Sequence, residues 1–261
     1  MVLQSEILSL LRLRGSCSIN ELSELFNVSG ETIRRNVKPL VAGGLALKVH
    51  GGIVLPEHFQ EAPILRRMHQ QKEAKKQISS SVAQLLKHGD TFIIDTGSTT
   101  EYVAQALYQH KDLTVVTNSS YIANHLASKN KNRVFMAGGE LRAHDAAAFG
   151  AGAIEFIQQF EVSYAILSIG AIHQTKGCMD YQLCEAEFSK AVIAQVETVI
   201  VVADATKFGL TRSVKVCELA QIDILVTDSP PPLELEQSLM DAGVQVIIAE
   251  SKDSFKFVES R

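Results

Sequence analysis

Hydrophobic positions near the N-terminus recur at helical spacing. Ile7, Leu10, Leu11 and Leu13 form a first stripe, ended by Gly15-Ser16. Ile19, Leu22, Leu25 and Phe26 form a second. Asn27-Val28-Ser29-Gly30 is turn chemistry, and Ser29 predicts the N-cap of a third helix that Gly43-Gly44 stops. Two β-prone runs around His50-Gly51-Gly52 then predict a hairpin. Helix, helix, turn, helix, hairpin is the outline of a winged helix-turn-helix. Beyond Pro56 and Pro63 the pattern changes. A polar stretch, 66–76, leads into a helix faced by Ile78, Val82, Leu85 and Leu86. Apolar runs follow at 91–95, 113–117, 133–138, 164–170, 198–204, 223–228 and 244–249, several of them separated by amphipathic stretches. That alternation predicts an α/β domain, a mainly parallel sheet covered on both faces. The expected organisation is a head over residues 1–57, a linker over 58–76 and a second domain over 77–261.

Composition narrows the class. The 261 residues are 46% hydrophobic, ample for a packed core, and no run approaches a membrane span. The charges within the N-terminal apolar pattern argue against a secretory signal, so a cytoplasmic location is expected. Cys17, Cys178, Cys184 and Cys217 are scattered without a C-x-x-C pair, so neither a metal site nor a disulfide framework is expected. Cys178 and Cys184 read as packed small side chains. Charge is divided unevenly. Residues 1–76 hold 11 Lys/Arg against 7 Asp/Glu, whereas 77–261 hold 14 against 22. A basic head on an acidic body suggests a polyanion-binding module joined to something else.

The third helix gives the basic head a surface. On a helical wheel Ile33, Val37, Leu40 and Val41 lie together, opposite Glu31, Thr32, Arg35 and Lys38, with Arg34 and Asn36 on the flanks. Residues at the start of a recognition helix reach base edges, where Arg suits guanine and Asn adenine. Ser29, Glu31, Thr32, Arg34, Arg35 and Asn36 are the candidates, with Lys38, Lys48 and His50 placed for phosphate contact. On helix geometry alone a solvated face is the better reading of the Arg pair. Pro39 predicts a kink or an early stop.

In the second domain three polar segments follow apolar runs: Asp95-Thr96-Gly97-Ser98-Thr99-Thr100, Thr117-Asn118-Ser119 and Gly138-Gly139-Glu140-Leu141-Arg142. The first offers backbone N–H groups, hydroxyls and a helix N-terminus, a combination that favours an anion. Each could singly be an ordinary strand-to-helix turn. Together, at the carboxyl ends of strands, they suggest a phosphate-bearing ligand.

The stretch SINELSELFNVSGETIRRNVKPLVAGGLALKVHGGIVLP resembles the N-terminal signature of the DeoR family of bacterial transcriptional repressors. The later polar segments, and Asp204-Ala-Thr-Lys207-Phe, resemble that family's C-terminal sensor domain, so the resemblance covers almost the whole chain. The resemblance implies a sensor domain similar in fold to ribose-5-phosphate isomerase, with phosphorylated sugars as effectors. It implies effector-site roles for Asp95, Thr96, Gly97, Ser98, Thr99, Thr100, Asn118, Gly139, Arg142, Glu185, Lys190, Asp204 and Lys207. It also implies double-stranded operator DNA as partner and a homo-oligomer, dimer or tetramer. Within the family the pattern looks most like the branch governing the glycerol-3-phosphate regulon, so a phosphorylated sugar or glycerol-3-phosphate is the expected effector. No cofactor and no membrane partner are expected.

The chain departs from the family pattern at Asn36 and Gln182, where Asp is usual, and at Pro39. An alternative is a sugar-phosphate isomerase with Glu185 as base, but the paired carboxylates of the isomerase loop are missing from Ser168-Ile-Gly-Ala-Ile-His-Gln-Thr175. No catalytic residue is therefore expected. A third reading is a sensor acting through protein contacts alone, which predicts that Arg35→Ala is silent.

Overall fold

The computed structural model describes residues 2–14, 16–49, 51–54 and 61–250. They fall into two compact units, Met1–Glu61 and Ala62–Arg261. In the first unit, helices α1 (Val2–Arg14), α2 (Ile19–Leu25) and α3 (Gly30–Ala42) pack around Ile7, Leu11, Leu22, Ile33, Val37 and Leu40. Local chemistry sets the boundaries. Ser18 and Glu21 form a reciprocal capping box at the start of α2, with bonds of 3.1 and 2.7 Å. Ser29 accepts from the Thr32 N–H at 3.2 Å to open α3. Strands β1 (Ser16–Ser18), β2 (Leu47–Val49) and β3 (Gly52–Val54) form an antiparallel sheet in the order β1-β3-β2. The predicted hairpin is thus β2 and β3, and β1 adds a strand that three residues of sequence did not announce.

The expected early stop at Pro39 does not occur. Helix α3 runs on to Ala42, closed by the Gly43 N–H on the Pro39 carbonyl at 2.9 Å. Proline in a regular helix costs roughly 3 kcal/mol, and burying Leu40 offsets most of it, at about 1.5–3 kcal/mol.

The polar stretch expected to be a linker is largely folded into the second unit. It forms α4 (Ile64–His69) and the beginning of α5 (Lys72–Leu85), so α5 starts six residues before Ile78. Two of its cations are buried because backbone carbonyls accept from them. Lys75 Nζ donates to the carbonyls of Arg67 and Gln70 at 2.7 and 2.8 Å, and Arg67 Nε to that of Ala62 at 2.8 Å.

The second unit centres on seven strands: β4 (Thr91–Ile94), β5 (Thr114–Thr117), β6 (Arg133–Met136), β7 (Tyr164–Ser168), β10 (Thr198–Val202), β12 (Ile224–Thr227) and β13 (Gln245–Ile248). Every pairing among them is parallel. Alternate residues feed two cores: Ile93, Val116, Leu167 and Val201 on one face, Phe92, Ile94, Val115 and Ile200 on the other. Helices α6 (Ser98–Ala106), α7 (Ser120–Ala127), α8 (Ala151–Ile157), α9 (Leu183–Ile193) and α10 (Leu233–Asp241) complete the unit. A smaller antiparallel sheet joins β8 (Ala171–His173), β9 (Gly177–Asp180) and β11 (Val214–Cys217).

Strand order in the large sheet is β13-β12-β10-β7-β4-β5-β6. From β4 the chain steps outward through β5 and β6. It then returns to the opposite side of β4 and steps outward through β7, β10, β12 and β13. The order reverses between β4 and β7, and such a switch point opens a crevice beyond the carboxyl ends of the two strands.

Candidate functional site

Helix α3 presents the predicted polar face. Glu31, Arg34, Arg35 and Lys38 are exposed, and Thr32 and Asn36 are half-buried. Ser29 and Lys48 are exposed too, whereas His50 lies outside the described residues. Arg34, Arg35, Lys38 and Lys48 line a groove of about 830 Å³ between α3 and the β2–β3 hairpin. The pairing of Arg34 with Glu31, at 3.7 Å and exposed, is worth little. Asn36 turns its amide back on the helix, donating one N–H to the Thr32 carbonyl at 2.9 Å, which leaves the second N–H and the carbonyl oxygen for other partners. The convergence of four cations on one groove suits a polyanion.

At the switch point, Asp95 follows β4. Its carboxylate accepts from the Ser168 N–H at 3.0 Å and from the Ser168 hydroxyl at 3.4 Å, tying the ends of β4 and β7 together. Gly97 lets these loops approach, since a Cβ there would lie 2.1 Å from Ser168 Oγ. Helix α6 begins at Ser98 without a side-chain cap, so the N–H groups of its first turn are open to another acceptor. Ser98 and Thr99 are 5% and 6% exposed, and no hydrogen bond engages either hydroxyl. Thr100 is fully buried and donates to the Gly97 carbonyl at 3.0 Å. The Thr96 hydroxyl is buried without a partner.

Asn118 follows β5 and braces this loop. It accepts from the Thr96 N–H at 2.9 Å and donates to the Ala148 carbonyl at 3.2 Å. Gly139 opens the loop from 138 to 150 at φ +145°. In that loop Arg142 is enclosed. Its Nε and Nη2 donate to Asp145 at 3.0 and 2.5 Å, Nη2 lies 2.7 Å from Glu185 Oε1, and the guanidinium carbon sits 4.3 Å from the Phe149 ring centre. Burial works against the guanidinium charge, but the bonds to Asp145 and the charge of Glu185 prevail and raise its pKa above the usual arginine value. Glu185 also closes a capping box with Gln182 at the start of α9. Next to it, burial pushes the Cys184 thiol up, making it a poor nucleophile. Cys178 and Cys217 are buried opposite each other on β9 and β11.

The remaining candidates diverge. Asp204 lies just past β10 and caps its own 3₁₀ turn through the Thr206 N–H at 3.0 Å, with Lys207 half-buried in that turn. Lys190 is exposed on α9, five residues beyond buried Glu185, which puts it on a different face of the helix. The structure therefore gathers Asp95–Thr100, Asn118 and Ser168 at the crevice, and Arg142 and Glu185 in an ion cluster. It does not bring Lys190 to either. Sequence reasoning missed Asp145, Ser168 and Asp180, whose carboxylate accepts from the Gly170 N–H at 2.7 Å. The spacing of Asp145 three residues after Arg142 was the one available signal.

Residues 4–59 match the DeoR-like helix-turn-helix domain, and residues 70–229 match the DeoR C terminal sensor domain. The chain belongs to the DeoR family of transcriptional repressors. The glycerol-3-phosphate regulon repressor of Escherichia coli K12 is 36% identical over 240 residues, 92% of this chain and 95% of that one. The HTH-type transcriptional repressor CsqR of the same organism is 33% identical over 245 residues, 94% of each. Among solved structures, ribose 5-phosphate isomerase A from Neisseria gonorrhoeae aligns with a TM-score of 0.40 and 16% identity, over 55% of this chain and 56% of that one. The DeoR assignment agrees with the geometry of Glu185, which is held in an ion pair and a helix cap and is not an available general base. Among the described residues no helix is long and apolar enough to cross a membrane, and no cluster of three metal-binding side chains occurs.

Proposed function

We propose that this DeoR-family repressor controls a carbohydrate catabolism operon, and that a phosphorylated sugar or glycerol-3-phosphate in the switch-point crevice sets its operator affinity. The buried Thr96 hydroxyl without a partner, beside the uncapped N-terminus of α6 where the Ser98 and Thr99 hydroxyls bond nothing within the chain, carries this reading. Buried polar groups need partners, and a helix N-terminus flanked by hydroxyls supplies N–H and O–H donors to a phosphate without a full cation. The similarity to the glycerol-3-phosphate regulon repressor supports the same chemical class. On the DNA side, Arg34, Arg35, Thr32 and Asn36 would read base edges, while Lys38, Lys48 and His50 would hold phosphates. Two heads of a homodimer, or of a tetramer, would engage half-sites about 34–36 Å apart, one helical turn, or a multiple of it.

The test is a thermal-shift panel on the full chain with glycerol-3-phosphate, ribose-5-phosphate, inorganic phosphate, glycerol and ribose. A true effector at about 100 times its Kd adds roughly 2.7 kcal/mol to the unit that binds it. The expected result is a shift from a phosphorylated compound, lost in Ser98→Ala/Thr99→Ala, and none from glycerol or ribose. No shift from either phosphorylated compound sinks the effector reading. For DNA, Arg35→Ala is expected to weaken binding to a duplex selected from a random pool by about 1–3 kcal/mol. An unchanged gel-shift titration would instead favour a regulator acting through protein contacts.

A further inference from the structure

We propose that the loop over residues 138–150 couples the crevice to the segment leaving the DNA-binding unit, with Arg142 as its latch and not as a phosphate ligand. The proposal rests on the reading above for what occupies the crevice.

Arg142 has little left to offer an anion. Nε and Nη2 bond Asp145, Nη2 also meets Glu185, Nη1 lies 3.8 Å from Cys184 Sγ, and one face covers Phe149. Two carboxylates already meet this one guanidinium, so its charge is met inside the cluster. What the cluster does mechanically is join the loop to the first turn of α9, where Glu185 sits.

The same loop is fastened on two more sides. Toward the crevice, Ala148 and Asn118 exchange bonds, with the Ala148 N–H donating to the Asn118 carbonyl at 2.9 Å and the Asn118 amide donating back at 3.2 Å. Asn118 in turn holds the Thr96 N–H. Toward the beginning of the unit, the His144 carbonyl accepts from the Ile64 N–H at 3.0 Å. Ile64 opens α4, two residues after the second unit starts. Helix α4 has a second tie to the crevice. Tyr102 of α6, one turn beyond Ser98 and Thr99, donates its hydroxyl to the Met68 carbonyl at 3.0 Å. Both elements that flank the crevice therefore hold α4, and α4 is the first element after the DNA-binding unit. A ligand that displaces Thr96 or the start of α6 displaces those anchors through a contiguous set of hydrogen bonds, the physical form that coupling requires.

The experiment uses the full chain and three variants. Arg142→Gln and Glu185→Gln open the latch from either side, and Glu185→Gln keeps a side-chain acceptor for the α9 cap. Ser98→Ala/Thr99→Ala alters the crevice and leaves the latch intact. Amide hydrogen exchange without ligand is expected to rise about tenfold, equivalent to roughly 1.4 kcal/mol, at 139–149 and at 64–70 together in either latch variant, and at neither in the crevice variant. Calorimetry with glycerol-3-phosphate, and with ribose-5-phosphate, is expected to give a Kd within about threefold of the parent for the latch variants. In those variants the ligand's effect on operator Kd shrinks severalfold, because a coupling free energy of about 1–3 kcal/mol is removed. Faster exchange confined to 139–149 overturns the proposal. So does a tenfold loss of ligand affinity in Arg142→Gln with the operator response restored at saturation, which would make Arg142 a ligand. If the parent binds neither compound, the crevice reading falls, and the exchange result alone decides the latch.

Discussion

Gly97→Ala tests whether the two halves of the sheet are joined as tightly at the switch point as the geometry implies. Gly97 has φ 174°, extended backbone that alanine adopts freely, so any cost is steric. The added Cβ would lie 2.1 Å from Ser168 Oγ, 2.8 Å from Ser168 Cβ and 2.9 Å from Thr100 Oγ1. Ser168 has no easy retreat. Its hydroxyl bonds the Asp95 carboxylate and, at 3.2 Å, the Thr96 carbonyl, and its N–H bonds Asp95 as well. Overpacking of this kind costs about 1–3 kcal/mol. Losing one or two hydrogen bonds adds about 1 kcal/mol each, so the expected destabilisation is about 2–4 kcal/mol. All five tyrosines, Tyr102, Tyr108, Tyr121, Tyr164 and Tyr181, lie in the second unit, and the chain has no tryptophan. Tyrosine fluorescence during urea unfolding therefore reports on that unit and not on the DNA-binding one. Ser168→Gly removes both the Oγ and the Cβ that the new methyl meets. In that background Gly97→Ala is expected to cost less than about 1 kcal/mol, an interaction energy within the range seen for contacting residues. A cost below about 0.5 kcal/mol in the parent, or one that Ser168→Gly does not relieve, would refute the close-approach argument.

Three further outcomes follow from individual residues. Pro39→Ala restores an N–H to the Arg35 carbonyl in an exposed stretch of α3 and is expected to stabilise the first unit by about 1–2 kcal/mol, read as a higher midpoint of its helical circular dichroism signal. Ser18→Ala breaks the α2 capping box and is expected to cost about 1 kcal/mol in the same measurement. Burial raises the Glu101 pKa, only partly opposed by His125 at 2.9 Å, so its stability contribution is best at acid pH and declines as pH rises from 4.5 through the folded-state value. Glu101→Gln lacks that term. Its melting temperature relative to the parent should therefore climb between pH 4 and pH 7, and a flat difference would contradict the assignment.

The sequence carried the periodic features well. The unbroken apolar runs within 91–95 and 198–204 identified strands because both faces are buried, Phe92 and Ile94 in one core and Ile93 in the other. The polar face of α3 was legible because Ile33, Val37 and Leu40 must turn inward. The linker was misjudged because its folding depends on buried cations. Lys75 is polar in sequence, yet its ammonium completes the carbonyl end of α4, and no periodicity encodes such a contact. The early stop that Pro39 offered beside a kink failed for a related reason, since a local penalty was outweighed by the burial of the next residue, Leu40. Strands β8, β9 and β11 are only three or four residues long and pair antiparallel beside a parallel sheet, so alternation over so few positions had little signal to give.

The candidate site shows a different limit of sequence reading. Motif positions say which residues gather at a strand end, and not whether a side chain faces a ligand or its own backbone. Asp95, Asn118 and Asp204 were all candidates for effector contact, yet each engages backbone N–H or C=O groups, Asp95 and Asn118 in neighbouring loops and Asp204 in its own turn. Asp180 and Asp228 do the same, Asp228 accepting from the Ala205 N–H at 2.8 Å. This also bears on the charge of the second unit. Carboxylates along the sheet edge would oppose a phosphate if they faced the crevice as free anions. Bound to N–H dipoles, they fix the loops, and the charge they present to the crevice is partly compensated. The donors left for an anion are then the α6 N–H groups and the hydroxyls of Thr96, Ser98 and Thr99, all at one helix end. Affinity should consequently depend on preserving that helix end more than on any single cation, which is why Ser98→Ala/Thr99→Ala, and not Arg142→Gln, is the substitution expected to abolish ligand binding.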